Sequence, residues 1–263
     1  MDYLLLICSL FYIAAGSIAS VQLFAPDKPL THYFVPAITF ALASHAYWLY
    51  QHIIMLNGQN LPILNVLSLV TFIVSLLATF ASKHLKTEVL LPVVYTFTVL
   101  NLIAITYLPS QFITHIETHL QVATHIILAL LAYSILSIAS LFALLLAYLD
   151  YRLKKRKLPL TKISMPPLMT LEKSLFQIIS IGFILLSCTL LTGFIFVDDM
   201  FIQGKAHKAV LSIIAWIVYA ALLWGHFSKG WRGRFTVYIT IIGSSLLTLA
   251  YFGSRFIREI ILS

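Results

Sequence analysis

The chain has 263 residues, of which 60% are hydrophobic and 10% charged, and its mean hydropathy is +0.97. A soluble domain carries roughly 45–50% apolar and about 25% charged residues, so the composition excludes that class and indicates an integral membrane protein. The formal charge of +8 does not call for nucleic acid, because the basic residues sit in short connections between apolar runs, where the positive-inside bias accounts for them.

The first run, MDYLLLICSLFYIAAGSIASVQLF, has an acid where a secretory signal carries positive charge and is too long for a signal's apolar segment, so it reads as a span that is kept. Runs long enough to cross about 30 Å of hydrocarbon recur along the chain. They lie at 3–24, 33–55, 61–82, 88–109, 120–149, 173–197, 207–227 and 235–257. Open strands are excluded in lipid because their backbone groups would go unsatisfied. The sequence therefore predicts an all-α bundle of eight transmembrane helices forming a single membrane domain over 1–263. The fifth run is longer than a bilayer requires and is expected to project or tilt. PSQFITHIETHL, before it, reads as an amphipathic connector, and YRLKKRKLPLTKISMPPLMTLEK, after it, as a long basic loop broken by proline.

With alternate connections on opposite sides, one side holds thirteen Lys and Arg and the other four: Lys205, Lys208, Arg255 and Arg258. This asymmetry places the first side in the cytoplasm and both termini outside. Cys8 and Cys188 lie inside apolar runs and read as buried thiols, with no CxxC pair to suggest redox chemistry.

Nine histidines in so apolar a chain need an account. His32, His84 and His226 fall at cytoplasmic helix ends and read as interfacial. His52 lies near an outer end. His115 and His119, four apart in the outer connector, would share one face of a short helix. His45, His125 and His207 differ, since an ionisable group within or at the mouth of a span tends to face the bundle interior and a partner. His125 is one turn into the fifth helix and His207 opens the seventh, which puts both near the outer face on helices expected to pack side by side. Two imidazoles at equal depth on facing helices suit axial ligation of a haem iron. For any one histidine, a hydrogen bond across helices is the commoner arrangement; the pair is what points to a ligand. Trp216 lies deep enough to stack near a cofactor, whereas Trp224 and Trp231 fit an interfacial belt around GHFSKGWRGR. HExxH, GxSxG, a Walker loop and paired carboxylates are all missing, so the chain reads as a non-enzyme.

The blocks ATHIILALLAYSILSIASLFALLLAYLDYRLKKR, LPLTKISMPPLMTLEKSLFQIISIGFILLSCTLLTG and HKAVLSIIAWIVYAALLWGHFSKGWRGR, with the ending LTLAYFGSRF and with ASHAYWLYQHI earlier, resemble the cytochrome c assembly (CcsA/CcmC) superfamily, and more closely its HemX/YpjD-like branch. The resemblance covers nearly the whole chain. It implies a helical bundle of the bacterial inner membrane that binds haem near its outer face through paired histidines and serves cytochrome c assembly or haem homeostasis. On matching positions His125 corresponds to the first external haem histidine. His207 stands near where the superfamily's tryptophan-rich loop ends. In this chain FIQGKAHKAVLSIIAW replaces that loop's WxWDPKE-like core, keeping a lysine and the later Trp216, and LAYFGSRFIRE has no second external histidine.

The expectation is thus a haem-binding membrane protein with His125 and His207 as axial ligands to iron, His45 third, Trp216 near the ring and Lys208 available to a haem propionate. Its partners are the bilayer, haem or a related tetrapyrrole, and other cytochrome c or haem biogenesis proteins, with no nucleic acid. The alternative is a non-haem scaffold or regulator that acts through its basic cytoplasmic loop.

Overall fold

In the computed structural model the described residues are 3–24, 30–55, 58–85, 87–108, 111–114, 120–155, 168–196 and 206–253. Among them are eight α-helices: α1 (Tyr3–Phe24), α2 (Thr31–Ile53), α3 (Ile63–Leu85), α4 (Leu91–Tyr107), α5 (Leu120–Lys154), α6 (Leu168–Phe196), α7 (Ala206–Lys229) and α8 (Arg234–Thr248). Each coincides with one of the eight apolar runs. Seven regions are long and apolar enough to cross a membrane, and α2 is not among them. Its three histidines, glutamine and proline dilute the apolar residues of this 23-residue helix. Among the described residues the structure is all-α with seven membrane-capable helices, where the apolar runs suggest eight.

The helices fall into two compact units, α1–α4 and α5–α8. In unit 1, α1 packs on α2 and α4, and α3 packs on α4 and α2. The buried face of α1 is Leu5, Cys8, Tyr12, Ala15 and Ala19, a spacing of three and four that runs as one stripe down the helix. Its opposite side exposes Leu6, Leu10 and Ile13, as a lipid-facing surface should. Unit 1 also holds a three-stranded antiparallel sheet formed by β1 (Ile54–Met55), β2 (Gly58–Asn60) and β3 (Ile113–Thr114). Gln59 pairs with Ile54 on one side and Thr114 on the other, and Asn60 Oδ1 accepts from the Phe112 N–H at 2.9 Å. The sheet gives the backbone of two helix connections the partners that non-helical segments near a membrane require.

In unit 2, α5 packs on α6 and α8, and α7 packs on the same two helices. α5 and α7 therefore stand at opposite corners, with α6 and α8 between them, which differs from the side-by-side packing expected. The α5–α6 contact is tight because Gly182 admits Leu136; a Cβ on Gly182 would lie 2.5 Å from a Leu136 methyl. Gly243 admits the ring of Tyr219 in the same way between α8 and α7. The turn from α7 to α8 is built by His226, whose Nδ1 bonds the Trp231 carbonyl at 3.1 Å while its ring stacks on Phe176. Gly230 and Gly233, both at positive φ, let the chain reverse there. Most of the basic loop, residues 156–167, lies outside the described residues, as do His115 and His119.

Candidate haem-ligand histidines

His45 sits at the centre of unit 1 with 0% of its surface exposed. Its Nδ1 meets the Tyr12 hydroxyl at 3.1 Å and its Nε2 meets Ser68 Oγ at 2.9 Å. A neutral imidazole has one donor and one acceptor nitrogen, and two hydroxyls complement both. The ring is further enclosed by Tyr12 and Phe72, both edge-on. Around it the hydroxyls continue: Ser75 bonds Thr98 at 2.9 Å, and Thr79 bonds Tyr95 at 2.8 Å. His45 is thus a three-helix junction joining α1, α2 and α3, with no ring nitrogen left over for a metal.

His125 presents a different environment on α5. It is half-buried, and its Nδ1 lies 3.2 Å from Thr192 Oγ1 near the end of α6. The hydroxyl of Thr192 also donates to the carbonyls of Cys188 at 2.9 Å and Thr189 at 3.0 Å on its own helix. A hydroxyl has a single hydrogen, and here it is committed to those carbonyls, so toward His125 the Thr192 oxygen is an acceptor. In that arrangement Nδ1 of His125 carries the ring proton, and Nε2 is the nitrogen that can be offered to a ligand. The backbone of Thr189, one turn before Thr192 on α6, is a second hydrogen-bond partner of the ring. Metal-binding histidines are commonly held in this manner, with one nitrogen tied to a polar group that sets tautomer and ring orientation.

His207 is exposed on the first turn of α7, and Lys208 beside it is half-buried. Trp216, two and a half turns further along, donates its indole N–H to Ser187 Oγ at 2.8 Å and stacks on Phe183 at 5.5 Å, so its ring pins α7 to α6. That bond also calibrates depth. Thr192 lies five residues outward from Ser187 and His207 nine residues outward from Trp216, so at 1.5 Å per residue His207 sits about 6 Å, or one turn, farther out than Thr192. The two histidines share an end of unit 2 but not a level.

The remaining described histidines have local roles. His52 bonds the Trp48 carbonyl at 3.0 Å and stacks on that indole, and His32 is exposed. The partners that fix the two important histidines, Tyr12, Ser68 and Thr192, were not evident from sequence. Their only trace is a hydroxyl interrupting an apolar helix, and such interruptions occur throughout the chain.

Residues 35–262 match the profile of a family described as Cytochrome C assembly protein. The inner membrane protein YpjD of Escherichia coli is 45% identical over 205 residues, covering 78% of this chain and 78% of that protein. A 28.8 kDa protein of Azospirillum brasilense is 31% identical over 142 residues, 52% of each chain. The cytochrome c biogenesis protein CcsA of Prochlorococcus marinus is 29% identical over 98 residues, 36% of this chain and 31% of that protein. No solved structure matches.

Proposed function

The chain belongs to the family of cytochrome c assembly proteins, and from that premise we propose that it is a multi-pass inner-membrane protein that binds haem at one end of unit 2, in the service of cytochrome c assembly or haem homeostasis. The likeness to a protein named for the inner membrane supports the location, and seven membrane-length helices agree with it. The basic residues put the binding end outside.

The observation that carries the haem reading is the half-buried imidazole of His125 near the end of α6, oriented by the bond between its Nδ1 and Thr192. An imidazole fixed in this tautomer is a ready iron ligand, and the donor set fits the group. His207, exposed and on a helix that shares α6 as a neighbour with α5, is the second ligand, drawn inward by about one turn to meet the level of His125. Lys208 on the same turn supplies positive charge for a propionate. Trp216 holds α7 in register against α6, and His45 holds unit 1 together without touching the cofactor. Bound haem would supply an iron centre with two oxidation states; the chain's own residues bind and orient it, and the role is binding without catalysis.

Purified protein in detergent, titrated with hemin, is expected to give a Soret band and a low-spin reduced spectrum. His125→Ala is expected to abolish the low-spin spectrum and His207→Ala to leave a weaker, five-coordinate form. A wild-type protein that binds no hemin, or a His125→Ala variant with an unchanged spectrum, overturns the reading.

A further inference from the structure

At the opposite end of unit 2, the last turns of α5 meet the first turns of α6 and α8 around a cavity of about 170 Å³. Its lining is apolar on one side, with Leu146, Leu175 and Val237, and charged on the other, with Asp150, Lys154, Glu172 and Arg234. The volume equals roughly six waters at about 30 Å³ each, the size of a headgroup and well below the roughly 300–1,000 Å³ of a drug-sized ligand pocket. α5 has 35 residues and so runs about 52 Å, against about 30 Å of hydrocarbon. Its final turns, and the cavity with them, stand at the level of lipid headgroups.

The charges of the cavity are unevenly used. Asp150 Oδ2 accepts from both Lys154 Nζ at 2.9 Å and Arg234 Nε at 3.1 Å, so two cations share one carboxylate oxygen. Their side chains are 59% and 61% exposed, and each keeps further N–H donors. Glu172 accepts the Gly233 N–H at 3.1 Å and has no ion-pair partner among the described residues. Thr236, 1% exposed, also lines the cavity, and its hydroxyl has no hydrogen-bond partner among the described residues. A buried hydroxyl without a partner is costly, and a ligand that bonds it removes that cost. The cavity thus offers cationic donors and a hydroxyl on one hand, an unpaired carboxylate on the other, and a net charge of zero over its four ionised groups.

We propose that this cavity binds the headgroup of a zwitterionic phospholipid with a primary ammonium, such as a phosphoethanolamine lipid. The phosphate lies against Arg234, Lys154 and Thr236, the ammonium against Glu172, and the start of an acyl chain against Leu146, Leu175 and Val237. A choline headgroup lacks the N–H donors Glu172 needs, and a glycerol headgroup lacks the cation altogether. The site is independent of the haem reading, since none of its residues belongs to the histidine end.

Delipidated full-length protein in detergent is mixed with phosphatidylethanolamine, phosphatidylcholine or phosphatidylglycerol, and bound lipid is read by native mass spectrometry. Phosphatidylethanolamine is expected to be retained in preference to both others. Glu172→Gln keeps an acceptor for the Gly233 N–H and removes the charge; it is expected to lower that occupancy about tenfold, the scale of one charge-assisted hydrogen bond. Thr236→Val, of the same shape, is expected to lower retention of all three lipids together, which separates phosphate contact from ammonium contact. Equal retention of the three lipids by the wild type, a preference for phosphatidylglycerol, or a phosphatidylethanolamine preference that survives in Glu172→Gln each overturns the proposal.

Discussion

His45 in unit 1 and His125 in unit 2 are both imidazoles carried on apolar helices, and both are hydrogen-bonded to hydroxyls of neighbouring helices. His45 meets two hydroxyls, one at each nitrogen, and is fully enclosed. His125 meets one, and that hydroxyl has already spent its hydrogen on its own helix. On the haem-binding proposal, burial alone does not mark a functional histidine in a membrane bundle. What matters is how many ring nitrogens the protein uses for itself: two make a structural tie, and one makes an oriented ligand with a lone pair to offer.

Substitutions at the two sites should therefore separate binding from stability. The largest effect is expected for His125→Ala, which removes the proposed ligand: the low-spin haem spectrum should be lost, while thermal stability without haem changes little. His45→Ala should do the converse. It leaves the Tyr12 and Ser68 hydroxyls unpaired beside a new cavity, so a loss of about 2–4 kcal/mol is expected in detergent unfolding, with the spectrum of the folded fraction unchanged. A smaller effect is expected for Thr192→Val, which leaves His125 in place but frees its tautomer; hemin affinity should fall by about 10–100-fold, the usual scale for loss of a ligand-orienting partner, and recover in Thr192→Ser. Gly182→Ala should act through packing, since its methyl would press on Leu136 between α5 and α6. A destabilisation of about 1–3 kcal/mol is expected, together with a weaker haem affinity because the same helix pair carries His125 and Thr192.

The number and order of the helices were legible in the sequence because hydrocarbon demands long apolar runs, and each run became a helix. The helix ends were less so. α5 continues past 149 to Lys154, and α6 begins at Leu168, five residues before its apolar run. Both extensions pass through charged residues, Asp150, Arg152 and Lys154 in one and Glu172 in the other, so hydropathy marks where lipid stops and not where the helix stops. The small sheet left no signal, since strands of two or three residues are too short to show alternation. At the histidines the sequence singled out His45, His125 and His207 but could not rank them. The ranking depends on Tyr12, Ser68 and Thr192, which lie 33, 23 and 67 residues from the histidines they bond.

The contrast between the two histidines is measured most directly by nitrogen NMR of the detergent-solubilised protein labelled with 15N at histidine, assigned by His125→Ala and His45→Gln and recorded before and after hemin. For the apo protein, His125 is predicted to show a protonated Nδ1 and a bare Nε2, and on addition of hemin its signals should be lost or strongly shifted while those of His45 stay in place. A His125 protonated at Nε2, or a hemin response at His45 with none at His125, contradicts the assignment of ligand and structural tie.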